Sequence, residues 1–215
     1  MDFGKARVEK ELARILHNYH RVSVEDIPNI DLYMDQVTTF MEERLRHVNR
    51  DPREEKIMTK TMINNYVKNR VLLPPVRKKY GRDHVLLLIM IYYFKSILSI
   101  GDIQKLIAPV MDRYAVPTSR EADQRGREGS LTMAEIYNEI FAGVEDQLPQ
   151  IGEDCRRHIA IAEKSFAHVP EKDRVRLQRF NLICQLSADV YAKKLLIERL
   201  LDEEPQPEPE KKRKP

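Results

Sequence analysis

The chain contains no tryptophan, two cysteines and only seven glycines among 215 residues. So few glycines leave little material for the tight turns of a β-rich fold, and the abundance of Leu, Ile, Glu, Lys and Arg favours an all-α chain. Cys155 and Cys184 are too few for a disulfide framework and point to a reducing compartment, so a cytoplasmic location is expected. The longest apolar run, Val85 to Phe94, has ten residues, too few to cross a bilayer. The N-terminus is charged and amphipathic and does not resemble a secretory leader. Phosphate-cradling glycine loops, nucleophile elbows and protease-type His-Glu metal pairs are all missing, so neither an enzyme nor a cofactor is expected.

One absence is local. Residues 56–82 carry eight basic side chains and no Asp or Glu, whereas the flanks, 1–55 and 83–215, have net charges of −3 and −2. The overall charge of +3 is thus a cationic segment set inside a mildly acidic chain. Such a concentration is the electrostatic footprint of a surface built for polyanions.

This segment has a legible order. Thr59 is placed to cap a helix over Lys60–Arg70, with Met62, Ile63, Tyr66 and Val67 on one face. Lys60, Asn64, Asn65 and Lys68 fall on the other. Pro74 and Pro75 prevent the helix from resuming, since proline lacks an N–H and biases its predecessor toward extended backbone. Val76 to Gly81 then suits a short β-wing with a basic tip, and Arg82 or Asp83 opens a long apolar helix.

Three runs carry a family resemblance: Leu72-Leu73-Pro74-Pro75, Lys79-Tyr80-Gly81-Arg82-Asp83-His84, and Ile97 to Ile107. Together they resemble the DNA-binding domain of the MerR-type regulators. The run Thr59 to Lys68 is similar to an uncharacterised bacterial family known only as a domain of unknown function, with a MerR-like fold. The resemblance covers roughly residues 30–110. Asn-Asn-Tyr-Val stands where MerR proteins carry Arg-Tyr-Tyr, and Val71 where they carry glycine. It implies a winged helix-turn-helix with a short β-wing; beyond it the apolar periodicity of the second half adds a C-terminal helical domain.

Five segments are expected. Residues 1–28 hold an N-terminal helix with apolar positions at Phe3, Val8, Leu12, Ile15, Leu16 and Tyr19, and residues 29–112 the winged domain. In the latter, Asp31 caps the supporting helix, Arg46–Met58 forms a long connection with a turn at Asp51-Pro52, Val85–Leu98 is the buried centre, and Ser99 caps the next helix, which Pro109 closes or kinks. Residues 113–129 are a linker. Residues 130–202 hold three helices: one from Ser130 or Thr132 to Pro149, one over 153–167, and a long one over 172–202 with more apolar surface than one neighbour needs. The proline-rich 203–215 is expected to be disordered.

The expected function is sequence-specific binding of double-stranded DNA by a homodimeric bacterial transcriptional regulator, with no membrane association. Lys60, Asn64, Asn65 and Lys68 would enter the major groove, where asparagine can pair bidentately with adenine. Arg70 and Arg82 would hold phosphates, Arg77, Lys78 and Lys79 would form the wing contact, and Tyr80 stands between a phosphate contact and the core. The alternative is a helical adaptor that binds an acidic protein through the same face. An effector at the C-terminal domain is compatible with this reading. Cys155 and His158, three apart on one helix, are half of a metal site at most, and no metal is expected.

Overall fold

A computed structural model describes residues 4–19, 22–46 and 56–203. Phe3, the Asp51-Pro52 turn and residues 204–215 of the expected disordered tail lie outside these. The described chain is almost entirely helical, with eight α-helices and one two-stranded sheet.

It divides into two compact units. The first in chain order consists of residues 1–21 and 138–195, the second of 22–137 and 196–215. The N-terminal helix thus falls in the same unit as residues 138–195.

The second unit is built around its most apolar helix. Leu32–Tyr33 (β1) leads directly into α2, Met34–Leu45, whose Val37, Met41 and Leu45 are fully buried. The cap of α2 is not Asp31, as expected, but Tyr33, whose backbone N–H donates to Gln36 Oε1 at 2.8 Å. Asp31 accepts instead from the Ser119 N–H at 2.7 Å. Lys60–Lys68 forms α3, and Lys79–Tyr80 forms β2, antiparallel to β1 with Leu32 opposite Tyr80 and Tyr33 opposite Lys79. Then follow α4, Arg82–Phe94, and α5, Ile100–Tyr114.

From Asp83 to Tyr92 every residue of α4 is buried, as its unbroken apolar run requires. It stops four residues earlier than expected, in a turn that leaves Ile97 exposed and Leu98 buried. Ser99 caps α5 as expected, accepting from the Asp102 N–H. Pro109 does not close α5, which runs one full turn further.

The expected linker is a helix. Residues Ser119–Arg127 form α6, capped by Thr118, whose Oγ1 accepts from the Glu121 N–H at 3.2 Å. The segment looked like a loop because it has almost no apolar residues, but α6 needs few. It packs end-on against α4, where a Cβ on Gly81 would lie 2.8 Å from Ser119 N and 2.9 Å from Thr118 Cα. Only glycine permits that approach.

In the first unit, Lys5–Asn18 (α1) lays Val8 and Leu12 on a small core of Ile159, Ala162 and Leu182. Thr132 and Glu135 form a reciprocal cap that starts the helix Met133–Lys164 (α7). This one helix of 32 residues replaces the two expected and continues through Pro149. Gln178 of α8, Glu171–Glu203, closes the end of α7 by donating to the carbonyls of Glu163 and Ser165. Among the described residues, no helix is long and apolar enough to cross a membrane.

Candidate nucleic-acid interface

The acid-free segment folds into a helix and a hairpin tied to the second unit's core. Thr59 Oγ1 accepts from the Met62 N–H at 3.1 Å, which fixes where α3 begins. Ile63 and Tyr66 face inward, while Lys60, Thr61, Asn64, Asn65 and Lys68 are exposed. The two faces divide as the 3.6-residue period requires. Thr61 joins the outer stripe one turn before Asn65 and two turns before Lys68. The period contains it, although it is neither charged nor an amide.

The end of α3 is a closed loop of hydrogen bonds. The Val71 N–H reaches back to the Tyr66 carbonyl at 2.9 Å and the Arg70 N–H to the Val67 carbonyl at 3.1 Å. This pairing requires a left-handed residue between them, usually glycine. Here it is Arg70, with φ +55°. Val71 and Leu72 are then buried, and the prolines carry the chain out to Val76.

Val76 and Lys79 face each other in an antiparallel bridge and exchange both backbone hydrogen bonds, 3.1 and 2.9 Å. Between them Arg77 and Lys78 have φ +51° and +64°. This is the two-residue hairpin turn that normally takes Asn-Gly. Of the four non-glycine residues with positive φ among the described residues, Arg70, Arg77 and Lys78 belong to this segment, and Phe166 is the fourth. Sequence reading had no means of finding this, because the residues carry no turn signature.

Not every predicted contact residue remains on the surface. Tyr80 is 3% exposed, with its ring edge-on to His84 at 5.3 Å, so it belongs to the core. Arg82, with a side chain 19% exposed, pairs with Asp123 at 2.7 Å, and its backbone N–H donates to Ser119 Oγ. Both positions lie where the hairpin enters α4, so their side chains turn inward to join the elements. Lys79 folds back over the Tyr33 ring, Nζ 4.9 Å from its centre. Lys60 is paired with Asp35 of α2. The Oδ1 of Asn65 is occupied by the Asn69 amide at 2.9 Å. Of the predicted contact residues, those exposed and without an ion pair or side-chain hydrogen bond among the described residues are Asn64, Lys68, Arg77 and Lys78.

The acids nearest this face belong to α2. Glu42 and Glu43 line a polar groove of about 630 Å³ between α2 and α3, together with Thr38, Lys56 and Lys60. Glu42 accepts from Arg46 and from the Ile57 N–H. Among the described residues of the acid-free segment, the cations of the C-terminal half of α3 and the hairpin turn, Lys68, Arg77 and Lys78, do not line that groove.

Behind the hairpin lie two buried ionisable groups. Gly81 donates its N–H to His84 Nδ1 at 3.1 Å, so Nε2 carries the imidazole hydrogen and directs it at the Pro74 carbonyl, 3.4 Å away. Burial pushes the His84 pKa below its usual value, against the opposing pull of the Pro74 and Leu73 carbonyls. Asp83 accepts from the Val116 N–H at 2.9 Å. Burial raises its pKa to about 6, against that hydrogen bond and the nearby Arg82 and Arg125.

Elsewhere, His158 bonds to Gln185 at 3.0 Å and Cys155 is half-buried. Among the described residues, no group of three or more His, Cys, Asp or Glu is placed to hold a metal ion.

The class this geometry defines is a small helical domain with a β-hairpin, its basic groups gathered on one helix face and one turn. Residues 22–125, a little under half of the chain, match the family model for a domain of unknown function, DUF1836. The match falls wholly within the second unit. No curated protein and no solved structure matches the chain.

Proposed function

We propose that the second unit is a winged helix-turn-helix of MerR-like type that binds double-stranded DNA with sequence preference, and that the protein is a cytoplasmic transcriptional regulator. One observation carries the reading: the hairpin turn presents two adjacent cations, Arg77 and Lys78, both in left-handed backbone. That conformation costs an L-residue roughly 1–2 kcal/mol. Strain held at an exposed turn by charged residues, where Asn-Gly would be relaxed, is a signature of function.

In this reading Asn64 reads a base edge and Lys68 neutralises a phosphate beside it. Arg77 and Lys78 reach the flanking backbone. Asn65 stays tied to Asn69 and serves the helix end. A palindromic target calls for two copies, and the outward stripe of α8, Phe180, Cys184 and Tyr191, is the surface we assign to the homodimer.

The test is selection of duplexes from a genomic pool, followed by fluorescence anisotropy across a salt series. Lys68→Ala lowers the salt slope by about 0.9 for every sequence. Asn64→Ala costs about 1–3 kcal/mol of discrimination at one position, and Asn65→Ala leaves discrimination intact. Absence of an enriched motif, together with no binding at low salt, would sink the proposal. The adaptor reading uses the same exposed cations, Lys68, Arg77 and Lys78. It predicts retention of an acidic protein and no enriched motif.

A further inference from the structure

The first unit contains a groove of about 540 Å³ bounded by α1, α7 and α8. Nine of its thirteen lining residues are aliphatic, and the other four are Arg7, Glu11, Cys155 and Arg179. Three helices each contribute an exposed isoleucine to it: Ile15 (53% exposed), Ile151 (41%) and Ile183 (62%). Converging apolar side chains left open to water, in a concavity of this size, are the ordinary make-up of a small-molecule site.

The groove has a direction. Arg179 lies at the start of α1, its Nη2 3.2 Å from where a Cβ on Gly4 would be, and Arg7 is on the first turn of the same helix. At the far end Leu16 lies against Gly152, within 2.9 Å of where its Cβ would stand, beside Ile151. Nine residues of helix separate Arg7 from Leu16, about 14 Å at 1.5 Å per residue. One end thus carries two lining guanidiniums, whereas at the other the lining is aliphatic and the Arg156 guanidinium beside Gly152 is paired with Glu153 at 2.7 Å. Neither Arg7 nor Arg179 is in a salt bridge among the described residues. Glu11, the one acid, is taken up by Arg14 through two hydrogen bonds, which, with Arg7 nearby, hold its carboxyl below the usual range. Among the described residues no aromatic ring lines the groove, so it offers nothing for a planar ligand to stack on.

We infer that this groove binds an acyl-chain carboxylate, its chain along α1 and its carboxylate between Arg7 and Arg179. The inference stands apart from the proposed DNA contacts, since no residue of the second unit enters it. Aliphatic walls bind a flexible chain by area, and the guanidinium pair fixes its polarity and selects an anion.

The probe is dodecanoate, titrated calorimetrically into the full-length protein below its micelle concentration, with dodecyltrimethylammonium as the cation of equal chain length. One-to-one binding is expected, with the cation at least tenfold weaker. Arg7→Ala/Arg179→Ala should bring the two ligands within about twofold of each other. Ile183→Asp, at an exposed position that spares the fold, should abolish binding. In a Cys184→Ser background, dodecanoate should slow alkylation of Cys155, whose thiol burial already pushes up, followed by Asp189 and Asp154. Equal affinity for the cation, indifference to the arginine pair, many weak sites, or no slowing at Cys155 would each overturn the inference. So would concentration-dependent protection of Cys155 without ligand, which would make a second copy the occupant.

Discussion

Replacing Arg77-Lys78 with Asn-Gly separates what the hairpin turn does for the fold from what it does for a ligand. The two residues sit at φ +51° and +64°, each at a cost of about 1–2 kcal/mol for an ordinary L-side chain. Asparagine tolerates this region and glycine is unstrained in it, although glycine gives back about 0.5–1 kcal/mol in chain entropy. The net expectation is a gain of about 1 kcal/mol, seen as a higher urea midpoint with unchanged slope. In a unit of this size, that corresponds to a melting temperature higher by about 3 °C. Val76 and Lys79 keep their bridge, so the ladder to β1 is unaffected. Binding should move the other way. With two phosphate contacts gone, the slope of log affinity against log salt should flatten by about 1.8, and affinity at low salt should fall steeply. A turn that exists only to connect two segments would give the stability gain with no loss of binding. That result would refute the assignment of the turn to DNA. A variant less stable than the parent would refute the strain argument itself.

Two further substitutions test the scaffold behind the turn. Asp83→Asn keeps an acceptor for the Val116 N–H but removes a carboxylate whose folded pKa is raised from 3.8 to about 6. A raised pKa means the folded state holds the proton more tightly, so this group's contribution is full below about pH 4 and lost as pH rises through 6. At roughly 1.4 kcal/mol per unit, the loss approaches 3 kcal/mol. Denaturation midpoints should therefore show the variant gaining on the parent between pH 4 and 7; a constant difference would contradict the burial argument. His84 works in the opposite sense, since its lowered pKa costs stability as pH falls below 6.5, and it persists in both proteins. Gly81→Ala places a methyl group 2.8–2.9 Å from the backbone of Thr118 and Ser119. Overpacking against backbone costs about 1–3 kcal/mol, and amide exchange should quicken at the start of α6; unchanged protection there would show that α6 can retreat at no cost.

The parts legible in sequence were those with a periodic or capping signal. Thr59, Ser99 and Thr132 start their helices where hydroxyl capping places them, and the two faces of α3 divide as its period dictates. What failed depended on packing across the chain. Asp31 had the look of a cap but accepts from Ser119, far along the sequence. The segment 119–127 is too polar to signal a helix, and it folds because Gly81 lets its end approach α4. Pro149 reads as a helix end and Pro109 as a close or a kink, yet each removes only one hydrogen bond from a long helix that has many. Among the expected contact residues, Asn64, Lys68, Arg77 and Lys78 are exposed. Tyr80 and Arg82 could not be sorted, because an aromatic hydroxyl or a guanidinium serves a core edge as well as a phosphate.

Those two losses from the surface explain how the turn is held. Tyr80 continues the ladder opposite Leu32, so the hairpin cannot twist away from β1. One residue on, Gly81 is gripped by the His84 ring, which also faces the Pro74 carbonyl on the way into the hairpin. Arg82 then binds Asp123 and Ser119 of α6, while Asp31, next to β1, binds the same Ser119 from the other side. The ring closes on itself: β1, hairpin, α4, α6 and back to β1. A turn carrying two left-handed cations would relax if its base were free to swing, so the closed ring is what allows the strain to persist. The inward side chains are therefore part of how the proposed interface is built, and Asn64, Lys68, Arg77 and Lys78 are the predicted contacts it leaves exposed and unpaired.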